Sequence, residues 1–232
     1  MYCAIIIEPR KHKALEFVIN NIYNCLPCDI ILFHGNNNIE YSHTIVDKLN
    51  TNRIKLVQLD VDNLDLIEYS KLLATKSVIY DHIQTDMFLV FQTDSMVFKE
   101  NAHMINDFLV YDYVGAPWLV TNYHYTKMCG FVGNGGFSLR NKKKMLEIIE
   151  YRDWNQLTEY VDRLEDLFFA TNYQNINVKK PGYYKACSFC VDEVYYETPI
   201  GCHKPWLHPH YELLKDTYPE CEILRNLQDV ED

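Results

Sequence analysis

The sequence predicts an α/β fold built on a central, mostly parallel sheet, and three observations support this prediction. Short apolar runs alternate with segments of helical spacing along the first third of the chain, a pattern typical of a parallel sheet flanked by helices. Residues 87–91 form an uninterrupted apolar run, which suits a central strand covered on both faces. The 232 residues are 48% hydrophobic, so the chain can bury a sizeable core as one domain.

Composition excludes several classes of protein. The average share of charged residues and the apolar content exclude intrinsic disorder, collagen and coiled coil. With 22 basic and 32 acidic side chains the net charge is −10, which argues against broad binding of nucleic acid or anionic membranes. No apolar stretch approaches the ~18 residues of a membrane span, and the start of the chain does not resemble a secretory signal. We therefore expect a cytoplasmic protein whose eight cysteines are mostly reduced.

The individual elements follow from apolar periodicity. We predict strands over residues 2–7, 30–33, 54–59 and 87–91. We predict helices over residues 14–22 and 39–49, a third helix capped within 60–65 and running to about 75, and a helical segment through 83. The second half is less regular, with helices near 101–109, 142–151 and 162–173. Neither an internal repeat nor a linker interrupts the chain, so residues 1–232 are interpreted as a single domain.

Asp94 is the first candidate for chemistry, because it follows the buried strand predicted over residues 87–91. Ligands of open α/β sheets sit beyond the carboxyl ends of such strands, and a carboxylate there can bind Mg²⁺ or Mn²⁺. The alternative is a turn-forming Asp next to Ser95. Asp60 and Asp62 also follow a predicted strand, but together with Asp65 they are better interpreted as N-cap residues of the next helix.

Residues 133–136, Gly-Asn-Gly-Gly, are the second candidate. Glycines allow the backbone to approach a ligand closely, although a plain turn explains the segment nearly as well. Its position between two apolar segments differs from a dinucleotide-binding fingerprint that opens a first helix, so dinucleotide binding is disfavoured.

Glu165 is a candidate general base. Helical spacing places it on the same face as Leu164 and Phe168, where partial desolvation would raise its pKa. Asp162 and Glu165 also match a capping box, and both interpretations can hold together.

Histidines and cysteines form two further groups. His203, His208 and His210 lie close together in sequence and can supply a metal ligand, although short histidine runs in loops are more often solvated. The pairs Cys25/Cys28 and Cys187/Cys190 lack zinc-ribbon spacing, so incidental, partly buried thiols are favoured over zinc binding or thiol exchange.

Five segments, taken together, resemble a known family. They are residues 88–95, 111–118, 133–140, 165–169 and 201–206. In this order they resemble the metal-dependent glycosyltransferases of the GT-A fold, and more narrowly a domain-of-unknown-function group of candidate glycosyltransferases found in giant DNA viruses, bacteria and fungi. The resemblance implies a single-domain GT-A-like α/β fold. Residues 1–95 would form a Rossmann-like half that binds a nucleotide sugar, and residues 96–232 an irregular half that binds the acceptor.

The resemblance also implies a metal site for Mn²⁺ or Mg²⁺. The last Asp of the DxD motif of these enzymes ligates the ion, and that position is Asp94. The first position is Gln92, a departure that removes one negative charge, although Gln can still bond a ribose hydroxyl. The C-terminal His that often completes the site matches His203.

Further roles are implied for the other matching residues. Glu165 and Asp166 match the xED motif, whose acidic residue deprotonates the acceptor in inverting members. Helical spacing favours Glu165 as the base and family usage favours Asp166, so both remain candidates. Trp118 and Trp206 are expected to stack on sugar rings. The full set expected to bind donor or acceptor is Gln92, Thr93, Ser95, Trp118, Asn134, Gly135, Gly136, Ser138, Lys204 and Trp206.

The resemblance thus implies a metal-assisted hexosyltransferase that moves a sugar from a nucleotide donor, with UDP favoured, to a glycan or protein acceptor, with inversion favoured. Nucleic acid and membrane spans are not expected, and the location would be the host cytoplasm if the protein is viral. One alternative is a sugar-phosphate nucleotidyltransferase, although residues 8–11 are a poor substitute for its Gly-rich basic loop. Another is a non-catalytic nucleotide- or carbohydrate-binding protein, which the departure at Gln92 makes reasonable.

Overall fold

The computed structural model describes residues 1–121, 126–127 and 129–228. In this part of the chain we number the strands β1 to β9 in chain order. They are β1 (Tyr2–Glu8), β2 (Ile30–His34), β3 (Ile54–Gln58), β4 (Met87–Phe91), β5 (Ser95–Val97), β6 (Tyr113–Val114), β7 (Phe137–Asn141), β8 (Cys190–Val191) and β9 (Gly201–His203).

The helices are numbered in the same way. They are α1 (Leu15–Cys25), α2 (Ile39–Leu49), α3 (Leu66–Leu73), α4 (Lys142–Tyr151), α5 (Glu165–Ala170), α6 (Tyr183–Cys187), α7 (Tyr211–Thr217) and α8 (Glu220–Asn226). Short 3₁₀ helices cover Ala102–Phe108, Trp154–Gln156, Val161–Arg163 and Pro205–Leu207. No helix within the described residues is both long and apolar enough to cross a membrane.

A six-stranded sheet with the order β3-β2-β1-β4-β7-β6 forms the centre of the fold. Strands β1 to β4 pair in parallel, whereas β7 is antiparallel to β4 and β6 is antiparallel to β7. The prediction of an α/β fold with a mostly parallel sheet is therefore confirmed. Because β2 and β3 lie on one side of β1 and β4 on the other, strand order reverses between β1 and β4, where open sheets bind their ligands.

The sheet is buried on both faces, as the apolar run of β4 predicted. Phe88 and Val90 pack with residues of α3, α4 and α5, while Leu89 and Phe91 pack with residues of α1, α7 and α8. Side chains alternate across a strand, so a strand covered on both faces must be apolar at every position. This packing fixes the carboxyl end of β4, and with it the segment that begins at Gln92.

A second, three-stranded sheet with the order β5-β9-β8 places the polar residues of the second half. Ser95 pairs with His203 across β5 and β9, so Asp94 lies next to the end of β9. Val191 pairs with Cys202 in parallel across β8 and β9, so Asp192 lies on the other side of His203. Three residues distant in sequence are therefore brought together by the register of one small sheet.

The start of α3 corrects one part of the capping prediction. Asp65 alone caps the helix: its side chain accepts a hydrogen bond from the Glu68 backbone N–H at 2.8 Å, and the Glu68 carboxylate accepts one from Asp65 N–H at 2.9 Å. Asp60 and Asp62 are exposed and precede the cap. The predicted helical segment through residue 83 is wrong, because residues 76–82 form turns and bends and residue 83 is irregular.

The predicted helix over residues 162–173 is also wrong in its bounds. A 3₁₀ turn, Val161–Arg163, is followed by an extended Leu164, and α5 begins only at Glu165. Asp162 forms no capping box, because it lies within the 3₁₀ turn and Leu164 is the N-cap residue of α5. Its carboxylate lies 3.0 Å from the Arg152 guanidinium instead. With α5 beginning after Leu164, Glu165 is buried and Asp166 is partly exposed in its first turn.

Candidate active site

Two adjacent cavities open at the carboxyl ends of β1 and β4. The first, of about 200 Å³, is lined by residues 7–10, 63–66 and 92–94 among others. The second, of about 190 Å³, lies between the Gly-rich segment, the start of α5 and His203. Leu66, Tyr69, Gln92 and Lys204 line both, so the two cavities form one cleft. This cleft is at the position where strand order reverses.

Asp94 lies between two cationic groups at the junction of the cavities. Its Oδ1 is 3.3 Å from His203 Nε2 and its Oδ2 is 3.2 Å from Lys204 Nζ. Although burial acts to raise the pKa of Asp94, the charges of His203 and Lys204 hold it well below its usual range. Burial alone would lower the pKa of His203, but Asp94 and Asp192 raise it to about 9. The cluster therefore carries both signs of charge in a partly dehydrated site.

This cluster fits part of the metal site that the resemblance implies. Asp94 Oδ1 and His203 Nε2 are buried, face each other and make no hydrogen bond. A carboxylate oxygen and an imidazole nitrogen are suitable ligands for Mn²⁺, and a nucleotide diphosphate can supply further oxygens. Within the described residues, no group of three or more His, Cys, Asp and Glu side chains can hold a metal ion. The described residues therefore offer two such ligands, and Gln92 lines the same cleft.

The Gly-rich segment approaches the protein's own side chains. None of Gly133, Gly135 and Gly136 has a positive φ, so backbone strain does not explain them. A Cβ at Gly136 would lie 2.1 Å from His203 Nε2, and one at Gly135 would lie 2.1 Å from Glu165 Oε1. Glycine is required here because the loop packs directly on the two side chains that line the second cavity.

The structure separates the two candidate bases. Glu165 Oε2 lies 2.7 Å from Arg140 Nη1, and both side chains are almost completely buried, with 7% and 0% exposed. Asp166 is partly exposed, lines the second cavity and accepts a hydrogen bond from the Leu167 backbone N–H at 2.8 Å. Burial and the neighbouring charge of Glu165 raise the pKa of Asp166 to about 7. Asp166 is therefore the carboxylate better suited to proton transfer.

Four residues that were expected to bind substrate do not line the cleft but pack or form hydrogen bonds behind its walls. Trp118 is 4% exposed and its ring lies beneath Gly133, while Trp206 is half-buried against the core. The Ser95 hydroxyl accepts a hydrogen bond from the Gln92 backbone N–H and donates one to the Gln92 backbone C=O, both at 2.9 Å. The Ser138 hydroxyl donates to Gly135 O at 2.8 Å. None of these four residues lines either cavity. The remaining expected binding residues do line the cleft, and they are Gln92, Thr93, Asn134, Gly135, Gly136 and Lys204.

Sequence reasoning missed three residues of the site. Asp192 accepts hydrogen bonds from His203 and His208, Tyr69 lines both cavities, and Arg140 neutralises Glu165. Arg140 could have been found from the sequence, because it is a charged residue inside an apolar strand. Such a residue is expected to be buried, and a buried charge is normally paired with an opposite charge. Asp192 follows a strand of two residues, which is too short for a pattern.

The remaining histidines and cysteines form no further centre in the described residues. His210 stacks on His208 with ring centroids 5.5 Å apart, and burial followed by the charge of His208 lowers the pKa of His210. Within the described part of the chain, which contains all eight cysteines, none is in a disulfide, and this includes the pairs Cys25/Cys28 and Cys187/Cys190.

Replacing Gly136 with Ala tests the close packing of the loop. We expect the new methyl group to displace the His203 ring and to lower the stability by about 1–3 kcal/mol, the usual range for overpacking. Urea unfolding measures this change. Gly182→Ala is the matched control, because nothing lies within 4 Å of a Cβ at Gly182. Equal stabilities of the two variants would contradict the packing argument.

Comparisons with known proteins agree with this geometry. A family model described as "Protein of unknown function (DUF5672)" matches residues 53–203. No curated protein sequence matches the chain significantly. The solved galactosyltransferase LgtC, in complex with donor and acceptor sugar analogs, has a TM-score of 0.60, with 12% identity over 97% of this chain and 94% of its own. The glycosyltransferase GlyE of Streptococcus pneumoniae TIGR4 has a TM-score of 0.54, with 13% identity over 97% of this chain and 62% of its own. These likenesses establish a GT-A-like fold.

Proposed function

The chain belongs to the DUF5672 family, and from its GT-A-like fold and its cleft we propose that it is a glycosyltransferase. It would move a sugar from a nucleotide-activated donor to an acceptor hydroxyl. The observation that carries the proposal is the presence in one cleft of the Asp94, His203 and Lys204 cluster and, in the adjoining cavity, Asp166. The first group suits a diphosphate, and the second suits an acceptor hydroxyl.

The nucleotide is assigned to the first cavity and the transferred sugar to the second. The diphosphate would then lie between them, beside Gln92 and Lys204, which line both cavities. UDP is the nucleotide to test first, because the resemblance to the metal-dependent GT-A enzymes favours it for this chain. The sugar would lie in the second cavity, which Gly135 and Gly136 help to line.

Charge explains how these residues would assist departure of the nucleotide. The diphosphate leaves readily only when its developing negative charge is neutralised. Asp94 and His203 would hold Mn²⁺ or Mg²⁺, which supplies positive charge to the leaving diphosphate when it is bound. The Lys204 ammonium, 41% exposed and facing the cleft, would supply a second positive charge.

Asp166 would act as the general base. It would take the proton from the acceptor hydroxyl as that oxygen forms a bond to the anomeric carbon, while the bond from this carbon to the diphosphate oxygen breaks. Attack from the side opposite to the leaving group inverts the configuration at that carbon. Glu165 would be unsuitable, because its carboxylate is held by Arg140 at 2.7 Å.

A non-catalytic nucleotide- or carbohydrate-binding protein is the second candidate function. The observation that favours it is Gln92, which replaces one anionic ligand by a neutral amide at the junction of the cavities. Such a protein would bind a nucleotide sugar without turnover.

The nucleotidyltransferase alternative would need a basic loop after β1 that holds triphosphates. The Arg10 guanidinium in that segment instead binds Glu8 at 2.8 Å, which argues against such a loop.

A thermal-unfolding panel of nucleoside diphosphates and nucleotide sugars, with and without Mn²⁺, tests the proposed donor site. We expect a UDP-dependent stabilisation of about 2.7 kcal/mol at ~100 times Kd, and its loss in Asp94→Ala. Asp62→Ala is the matched control, because Asp62 is exposed and lies outside the linings of both cavities. If no nucleotide changes the unfolding temperature, with or without Mn²⁺, the donor site is misassigned. Stabilisation without release of UDP from UDP-sugars and acceptor glycans would favour the binding protein.

A further inference from the structure

Asp192 is a buried carboxylate that receives three hydrogen bonds at the edge of the cleft. Its Oδ2 lies 2.6 Å from Asn134 Nδ2 and 2.9 Å from His203 Nδ1, and its Oδ1 lies 3.0 Å from His208 Nε2. The residue is 6% exposed and lines neither cavity. A buried carboxylate needs such partners to offset the loss of water, so all three contacts stabilise its charge.

The contact with His203 determines which ring nitrogen faces the cleft. An ionised carboxylate only accepts hydrogen bonds, so His203 Nδ1 must carry the proton. A metal ion would bind the ring through its other nitrogen, Nε2, the atom 3.3 Å from Asp94 Oδ1. Asp192 therefore orients His203 so that Nε2 is directed toward Asp94.

The contact with Asn134 determines the orientation of the Gly-rich loop. Because the Asn134 NH₂ group donates to Asp192, its carbonyl Oδ1 is directed to the Gly136 backbone N–H at 3.1 Å. Gly136 in turn packs against the face of His203, where a Cβ would lie 2.1 Å from Nε2. One oxygen of Asp192 thus holds both the imidazole and the loop that packs on it.

We propose that Asp192 is a positioning residue that orients His203 and the Gly-rich loop together, so that the metal ligand and the sugar-binding backbone take up one shared geometry. This inference rests on the proposed glycosyltransferase function. Outer carboxylates of this kind usually change the affinity of a metal site by about 10- to 100-fold when they are replaced. The neighbouring carboxylate, Glu193, instead accepts from the Leu119 backbone N–H at 2.8 Å and serves as the control.

The test compares Asp192→Ala, Asp192→Asn and Glu193→Ala. Binding of Mn²⁺, alone and with UDP, is followed by the paramagnetic resonance signal of the free ion. We expect Asp192→Ala to weaken binding by about 10- to 100-fold and Glu193→Ala to leave it unchanged. Asp192→Asn should stay within about threefold of the unmodified protein, because its amide oxygen still accepts from His203 and Asn134 while its NH₂ group faces His208. If Asp192→Ala does not fold, Asp192→Ser replaces it, since a serine hydroxyl is too short to reach all three partners.

A second readout does not depend on the metal. Histidine side-chain NMR should show a hydrogen-bonded Nδ1 proton of His203 that is present in Asp192→Asn and lost in Asp192→Ala. Unchanged ring resonances and unchanged Mn²⁺ affinity in Asp192→Ala would overturn the inference. Equal losses in the Ala and Asn variants would also overturn it, because charge rather than orientation would then be responsible. If the unmodified protein binds no Mn²⁺, the proposed metal-dependent function is contradicted. The NMR result alone then decides whether Asp192 positions His203.

Discussion

Replacement of Asp166 by Asn is expected to lower the rate of sugar transfer by about 10²- to 10⁴-fold, the usual contribution of a general base. The amide keeps the shape of the side chain but cannot accept the proton of an acceptor hydroxyl. Donor binding should change little, because the proposed nucleotide contacts lie around Asp94 and Lys204. UDP release from a bound UDP-sugar, measured with acceptor glycans, gives kcat, and thermal shift gives the donor affinity.

The pH dependence provides a second signature of the same residue. Burial and the charge of Glu165 raise the pKa of Asp166 to about 7. A base works only in its ionised form, so kcat/KM should be constant above about pH 7 and fall about tenfold for each pH unit below it. The remaining activity of Asp166→Asn should lack this decrease.

Asp162→Asn is the matched control for this prediction. Asp162 is a nearby carboxylate, but it binds Arg152 at 3.0 Å and lies outside both cavities. Its replacement should leave kcat and the pH profile unchanged. An Asp166→Asn variant that transfers sugar within about threefold of the normal rate would show that another group, or the substrate itself, accepts the proton.

The first half of the fold was predictable because its patterns are long. Strands β1 to β4 and helix α2 each contain enough residues for apolar periodicity to identify them, and their observed bounds differ from the predicted bounds by one residue or less. The six-stranded sheet then places Gln92 and Asp94 at the edge where ligands bind. The apolar periodicity of the strands and the polar residues that follow β4 were therefore sufficient to locate one half of the cleft.

The other half depends on contacts that local sequence does not encode. Strands β8 and β9 contain two and three residues, so their pairing, and the meeting of Asp192 with His203, follows only from tertiary packing. The helix prediction near Glu165 failed because Leu164 adopts an extended backbone. Periodicity favoured Glu165 as the base because it assumed a helix that continues through Leu164. In the structure, Glu165 pairs with a buried arginine and Asp166 lines the second cavity.

The ion pair of Glu165 and Arg140 gives the largest expected effect on stability. Arg140 is completely buried, with Tyr113 and Phe169 against its guanidinium. Replacing Glu165 with Gln leaves this cation without a counter-charge, so we expect the free energy of unfolding to fall by about 3–5 kcal/mol. Urea denaturation measures the change as a lower midpoint at an unaltered slope. Glu150→Gln is the control, because its pair with Lys76 is about 60% exposed on both sides, so its loss should leave the urea midpoint nearly unchanged.

The same replacement links the stability of the cleft to its chemistry. The charge of Glu165 is one cause of the raised pKa of Asp166, while the charge of Arg140 acts in the opposite direction. Removing the first and leaving the second must lower the pKa of Asp166 toward its ordinary value. In the fraction of Glu165→Gln that remains folded, the decrease in kcat/KM should therefore begin at a lower pH than in the unmodified protein. A loss of stability without this shift would mean that the base is not Asp166. A shift to lower pH would show that the buried pair controls the proton affinity of the base.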